Sequence, residues 1–421
     1  MTLRLRTLTA FLNPGDPIQL ERVRGVADAL RELQQMLVEA QIEVQTLRLA
    51  TPPVATWIGS GERALVTLAQ RLEDACFVSG IGYASLGPWR PGDDPALAVA
   101  LPDALGATST IFATVKLTAD ARHIDREAIL LAADAITRCA TLTPDGFGNL
   151  RFGALARVPA YVPFLPAAYA AAPDGADGAP IDWRSGAYGL GIGVEAAPLA
   201  VAALEGAPTL EQARQALLAS VESHATHLEK IVKTWARRRR VQFFGFDFAW
   251  AQYPTPERSL GTALERISGV PVGMAGTLSA AALLTEALDR ANFKRTGYNG
   301  LFLPVLEDSV LARRAAEGTL CVNDLLLYSA VCGTGLDTVP LPGDTRPTQI
   351  AALLTDVAAL AVRLDKPLSA RLMPIPGKSA GDAVAFDFEY FAPSRVLAAE
   401  SIGLGGLLAT DARWALAARR A

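Results

Sequence analysis

The stretch AVCGTGLDTVPLPGDT, Ala330 to Thr345, sets a thiol (Cys332), two carboxylates (Asp337 and Asp344) and three glycines (Gly333, Gly335 and Gly343) on an otherwise apolar run. Core packing alone does not require that mixture. LDTVPL reads as a short strand and Pro342-Gly343-Asp344-Thr345 as the turn that ends it. Asp344 or Thr345 then caps a helix that begins near Pro347 and runs over 348–363. A second strand, LSARLMPI, follows and ends in Pro376-Gly377-Lys378. The two turns echo each other, PLPGD at Pro340–Asp344 and PIPGK at Pro374–Lys378.

A strand, helix, strand unit of this kind is nearly always parallel, which brings both turns to the carboxyl-terminal edge of the sheet. Ligands in open α/β sheets bind at that edge, where helix amino-termini offer free N–H groups. Asp344 and Lys378 are expected to face one cleft there. Gly335, Gly343 and Gly377 would let backbone approach a ligand closely, with Thr345 and Asn299 beside it. Lys378 supplies a point charge suited to carboxylate or phosphate. Cys332, where a helix ends in Gly333-Thr334-Gly335, is the candidate nucleophile, although an inert packed thiol is the commoner condition. Asp337 and Asp344 are candidates for general base or metal ligand, against the plainer role of turn former. Glu307-Asp308, after LFLPVL, is a weaker metal or acid/base candidate, and Asp308 also reads as an ordinary helix cap.

The rest of the chain sets the frame for this unit. Its 421 residues are 51% hydrophobic, enough for a large core in one domain, 1–421. The 39 basic and 43 acidic residues nearly cancel, so no global field points to nucleic acid or an anionic membrane. Cys76, Cys139, Cys321 and Cys332 lack the spacing of a metal site or disulfide framework, which suits a reduced, cytoplasmic setting. No apolar run spans a bilayer's thickness without Gly, Pro or charge, and no signal-peptide core is recognisable near the start.

Alternating helical and strand patterns run from end to end, the mark of an α/β protein. Strands are expected in LRLRTLTAF, IEVQTLRLA, CFVSGIGYASLG, YGLGIGVEA, VQFFGFDFAW, GLFLPVL and AVAFDFEYF. The segment TPDGFGNLRFGALARVPAYVPFLPAAY is expected to be a long ordered loop that shapes a pocket, and 171–180 a flexible surface loop. The tail, 403–421, reads as a glycine turn and a short amphipathic helix.

VCGTGLDTVPLPGDT (Val331–Thr345) followed by IPGKSAGD (Ile375–Asp382) resembles the domain-of-unknown-function family 711, also filed as uncharacterised protein family 0210. NGLFLPVLED, GFGNLRFGALARVPAYVPFLPAAY, LRTLT and FGFDFAW extend the likeness over most of the chain. The resemblance implies a fold like the ten-stranded α/β barrel of pyruvate formate-lyase, with helices packed outside the strands, and a homodimer. It implies no reaction. Glycyl radical enzymes of that fold carry a cysteine on a loop inside the barrel, which Cys332 resembles by position, but the tail SIGLGGLLA lacks their glycine signature. Two positions depart from the family pattern: Thr334 stands where a bulkier aliphatic is common, and Ala170 where a histidine is expected.

The expectation is therefore an enzyme acting on a small anionic metabolite at the barrel mouth, with no nucleic-acid or membrane partner and no cofactor assigned. The alternative is an inactive ligand-binding or dimeric scaffold protein that keeps the same barrel.

Overall fold

A computed structural model describes residues 3–59, 64–182 and 186–419. The strands are β1 (Arg4–Phe11), β2 (Glu43–Val44), β3 (Leu47–Ala50), β4 (Tyr83–Trp89), β5 (Ile111–Lys116), β6 (His123–Asp125) and β7 (Phe152–Ala156). They continue with β8 (Gly189–Val194), β9 (Gln242–Asp247), β10 (Gly335–Pro342), β11 (Leu368–Ile375), β12 (Ala383–Val384), β13 (Ser394–Arg395) and β14 (Arg413–Ala415). The helices are α1 (Leu20–Glu39), α2 (Ala64–Ser79), α3 (Pro95–Gly106), α4 (Arg126–Ala140), α5 (Ala197–Ala203) and α6 (Leu210–Arg239). After them come α7 (Leu260–Ser268), α8 (Thr277–Arg290), α9 (Ser309–Glu317), α10 (Val322–Ser329) and α11 (Pro347–Leu364).

Ten strands form one sheet in the order β10-β11-β7-β5-β4-β3-β1-β8-β9, with β2 also paired to β1. From β1 through β3, β4 and β5 to β7 every neighbour is parallel. The pairs β8–β9 and β10–β11 are also parallel within themselves. They join the rest antiparallel, β8 on β1 and β11 on β7. The amino ends of β1, β3, β4, β5 and β7 therefore share a rim with the carboxyl ends of β8 to β11. That reversal decides which residues meet.

Among the described residues the ladder does not close on itself; β9 and β10 are its edges. Irregular chain runs beside both edges. Thr296 N–H donates to Phe246 O at 3.0 Å, and Val305 N–H to Asp337 O at 3.1 Å. Here GLFLPVL was expected to be a strand, but it forms only an isolated parallel bridge at Pro304 and Asp337. Proline removes a ladder donor, and Gly300 meets the Gly333 backbone so closely that a Cβ would stand 2.4 Å from its Cα.

Residues from all the helices named above enter the main apolar core against the sheet. On the other face, Phe11, Leu155, Tyr161, Phe164 and Tyr169 form a second core. Its rings need space, and the alternating glycines of β8 provide it: a Cβ on Gly193 would stand 2.8 Å from Phe164 Cε1. Helix α11 is long and apolar enough by length and composition to cross a membrane, yet Ile350, Leu353, Leu354, Val357 and Val362 are buried in the core.

Several local expectations change. CFVSG is the end of α2 rather than the start of a strand, because Tyr83 is the first residue to pair. Inside the expected loop at 143–169 lies β7, an interior strand of the sheet. AVAFDFEYF keeps its alternation of buried and exposed positions but pairs only through Ala383 and Val384. In the tail, Gly406–Ala409 is a 3₁₀ turn and Arg413–Ala415 is a strand on β6, not a helix. Residues 420–421 of that expected helix lie outside the described residues. In the segment 171–180, Ala171 and Ala172 are fully buried, and Arg90 bonds Asp174 at 3.1 Å while Lys116 pairs with Asp177.

Candidate functional site

A cavity of about 180 Å³ opens at the shared rim. Its walls come from the amino ends of the parallel strands (Arg6, Arg48, Tyr83, Phe112), the turn before β7 (Phe147, Leu150, Arg151), and Asp337 and Arg371 on β10 and β11. Glu307, Gln252, Phe302, Phe388 and Tyr390 complete it from irregular segments. Rings line one side: Phe147 and Phe388 centroids are 5.1 Å apart, as are those of Phe388 and Tyr390. An apolar wall around few polar groups is the usual composition of a small-molecule site.

The polar groups form a chain. Arg371 donates from Nε to Asp337 Oδ1 at 2.7 Å and from Nη2 to Glu307 Oε1 at 2.5 Å. Arg6 Nη2 donates to the other oxygen of Glu307 at 3.0 Å. Behind Arg6, Glu195 is held by Arg258 through two bonds of 2.7 and 2.9 Å. Two orphans remain: Arg6 Nη1, 3.9 Å from Glu195 Oε2, and Gln252 Oε1, both buried without a hydrogen-bond partner.

Burial alone would lower the Arg371 guanidinium, but Asp337 and Glu307 raise it well above the ordinary range. Asp337 is pushed up by burial and by Glu307, against the pull of Arg371. Arg48 is brought down to about 10 by burial and by the neighbouring Arg6 charge. Asp337 owes its place to a local irregularity. Strand β10 slips register on β11 between Leu336 and Val339, and Thr338 takes φ +38°, a left-handed value rare for a β-branched residue.

The two Pro-Gly turns do come together, since Pro342 pairs with Ile375 in a parallel ladder. They meet too tightly to form an anion nest. Gly343 N–H donates to Lys378 O at 2.9 Å, and a Cβ on Gly343 would stand 2.3 Å from Ile375 O. Asp344, Gly377 and Lys378 point into solvent and do not line the cavity. Thr345 donates its hydroxyl to Pro342 O at 2.6 Å, and Arg346, not Asp344 or Thr345, is the helix cap. Cys332 is fully buried before the amino end of β10, and the turns follow its carboxyl end, roughly 20 Å away by strand rise. Gly335, with φ +90°, packs against Ser369 backbone at that same far end.

The remaining candidates divide. Asp337 and Glu307 line the cavity. Asp308 does not. It caps α9 through Val310 and Leu311 N–H and accepts from the Ser259 hydroxyl at 2.6 Å. Asn299 accepts from Phe248 N–H at 3.0 Å and donates to Thr296 O, joining two segments. No group of three or more His, Cys, Asp or Glu able to hold a metal occurs among the described residues. Ala170 is fully buried.

Reading by motif missed Arg6, Arg48 and Arg371, each a cation inside a strand of the central sheet. A charge at such a position needs a partner or a ligand, and that signal was available in LRLRTLTAF, LRLA and LSARLMPI.

A family profile described as uncharacterised ACR (DUF711) matches residues 1–389. The chain belongs to this DUF711 family. The matched span takes in every cavity-lining residue except Tyr390. A UPF0210 protein of Pyrobaculum islandicum is 32% identical over 399 residues, covering 89% of this chain and 82% of that one. One from Pyrobaculum aerophilum is 30% identical over 418 residues, covering 90% and 87%. Another, from Desulforudis audaxviator, is 30% identical over 409 residues, covering 91% and 88%. The DUF711 assignment thus extends over nearly the whole architecture described above.

Proposed function

We propose that this DUF711 protein binds a small anionic metabolite in the rim cavity and exchanges a proton with it through Asp337 or Glu307. The observation that carries the reading is Arg48, a cation lining the cavity whose Nε donates to Thr46 Oγ1 at 2.8 Å and which has no ion pair among the described residues. A cationic donor in a low-dielectric hollow gains most from an ionised acceptor. The two carboxyls share one guanidinium, and burial together with the Glu307 charge raises Asp337 against the pull of Arg371. This is the arrangement by which paired acids take acid and base roles.

The fold reading extends in the same direction. Two parallel sets of strands meeting antiparallel, with the chain at 294–305 beside both edges, support a barrel like that of pyruvate formate-lyase, whose mouth is this rim. Cysteine chemistry receives no such support, since Cys332 is buried away from the cavity. A catalytically silent binding protein is the second reading, favoured by the full engagement of Glu307 and Asp337 with arginines.

Thermal unfolding with a panel of small anions tests the binding. Carboxylates or phosphate should raise Tm in the native chain and fail to do so in Arg48→Met. A panel of anions without effect, beside neutral compounds that do stabilise, would overturn it. Deuterium uptake from solvent into a bound anion, lost in Asp337→Asn or Glu307→Gln, separates enzyme from binding protein.

A further inference from the structure

The carboxyl ends of the parallel strands, at the opposite side of the sheet from the rim cavity, carry charges of their own. Lys116 is the last residue of β5 and Arg90 follows the last residue of β4, one step beyond the Trp89–Val115 pair, so the two cations leave adjacent strands side by side. Ligands of open α/β sheets bind outside this end of the strands. Lys116 Nζ lies 4.9 Å from the ring centroid of Tyr169, which is fully buried. Its one ion-pair partner among the described residues is Asp177. Arg90 approaches the same carboxylate to 3.9 Å and Asp174 to 3.1 Å, and keeps Asp93 beside it at 3.5 Å.

Both Asp174 and Asp177 come from PDGADGAP, 173–180, in which every residue is exposed except Asp177. The side chain of Asp177 is 10% exposed and that of Lys116 12%. Buried Ala172 and Ile181 anchor the two ends, and the Tyr161 hydroxyl donates to Ala179 O at 2.6 Å. Between the anchors apolar burial contributes little, because Pro173, Ala176, Ala179 and Pro180 face solvent. A surface segment held mainly by ion pairs opens at small cost, but opening strips a half-enclosed lysine of its only anion. Something must replace the carboxylate.

We infer that 173–180 is a displaceable strap over a second oxyanion site, in which Asp177 holds the place of a ligand's carboxylate or phosphate. The incoming oxyanion takes Lys116 Nζ and the Arg90 guanidinium, and the strap leaves with Asp177. Oxyanions offer several acceptor oxygens to the two cations, whereas chloride offers one atom. Strap closure and ligand binding then oppose each other reciprocally. This site is independent of the rim cavity.

The test uses the full-length protein with sodium phosphate, acetate and chloride at matched pH and ionic strength. Hydrogen exchange of the peptide spanning 173–180 should speed up in phosphate or acetate and not in chloride; whichever oxyanion acts names the ligand's charged group. Calorimetric titration in the Arg48→Met background keeps the rim cavity out of the measurement. There Asp177→Asn should bind the active oxyanion about tenfold more tightly, since a strap closed in most molecules lowers apparent affinity by the fraction open. Asp177→Glu should keep the strap closed, and Lys116→Met should abolish the binding. Equal exchange in all three salts, Asp177→Asn binding no more tightly, or binding that survives Lys116→Met would overturn the site while leaving the rim-cavity reading untouched.

Discussion

Arg371 Nε lies 2.7 Å from Asp337 Oδ1 across the parallel β10–β11 ladder, and the same guanidinium holds Glu307. Asp337 and Arg371 each expose less than a tenth of their surface. Removing one member of a buried pair strands the others without water or partner, which costs about 3–5 kcal/mol. Arg371→Ala should lose stability of that order in urea unfolding. The double variant Asp337→Leu, Arg371→Met should lose less, because Glu307 keeps Arg6 and no carboxylate is abandoned.

A second buried carboxylate fixes a pH dependence. Asp247 accepts from the backbone N–H groups of Ala249, Tyr298 and Asn299, yet burial outweighs those bonds and raises it to about 6. An acid with a folded value above its unfolded one holds its proton longer in the native state. Its contribution is therefore present at low pH and falls as pH rises from about 4 to about 6. The loss is on the order of 3 kcal/mol. Asp247→Asn should remove this fall, so the difference in unfolding free energy between native chain and variant should change across pH 4–6 and be flat above it.

Thiol reactivity should follow burial. Cys76, Cys139 and Cys332 are buried, while Cys321 is partly exposed. Burial also pushes the Cys76 and Cys139 thiols up to about 12, away from the reactive thiolate. Under native conditions alkylation read by mass spectrometry should reach Cys321 first and Cys332 only on unfolding. Cys332→Ala should leave anion affinity unchanged; a loss of binding would return the cysteine to the site.

The Pro-Gly turns give a complementary test. Lys378 is exposed and the Gly343 amide is already bonded to the Lys378 carbonyl. Lys378→Ala should therefore leave the anion-induced rise in Tm unchanged, in contrast to Arg48→Met. A Tm response lost in Lys378→Ala would place the anion at the turns.

The sequence determined the α/β class, the β10–α11–β11 unit and the meeting of its two Pro-Gly tips, because these follow from local periodicity, turn chemistry and the parallel rule. It also marked Asp337 and Glu307 as candidates. What it could not determine was the direction in which each strand crosses the sheet. The antiparallel joins at β1–β8 and β7–β11 bring the beginnings of some strands to the ends of others, so Arg6 and Arg48 meet Asp337 and Arg371 across hundreds of residues. The same topology sends Cys332 to the opposite end of β10. Neighbouring letters report backbone conformation and turn geometry; partners of a buried charge are chosen by tertiary packing, since only there does exclusion of water make the choice matter.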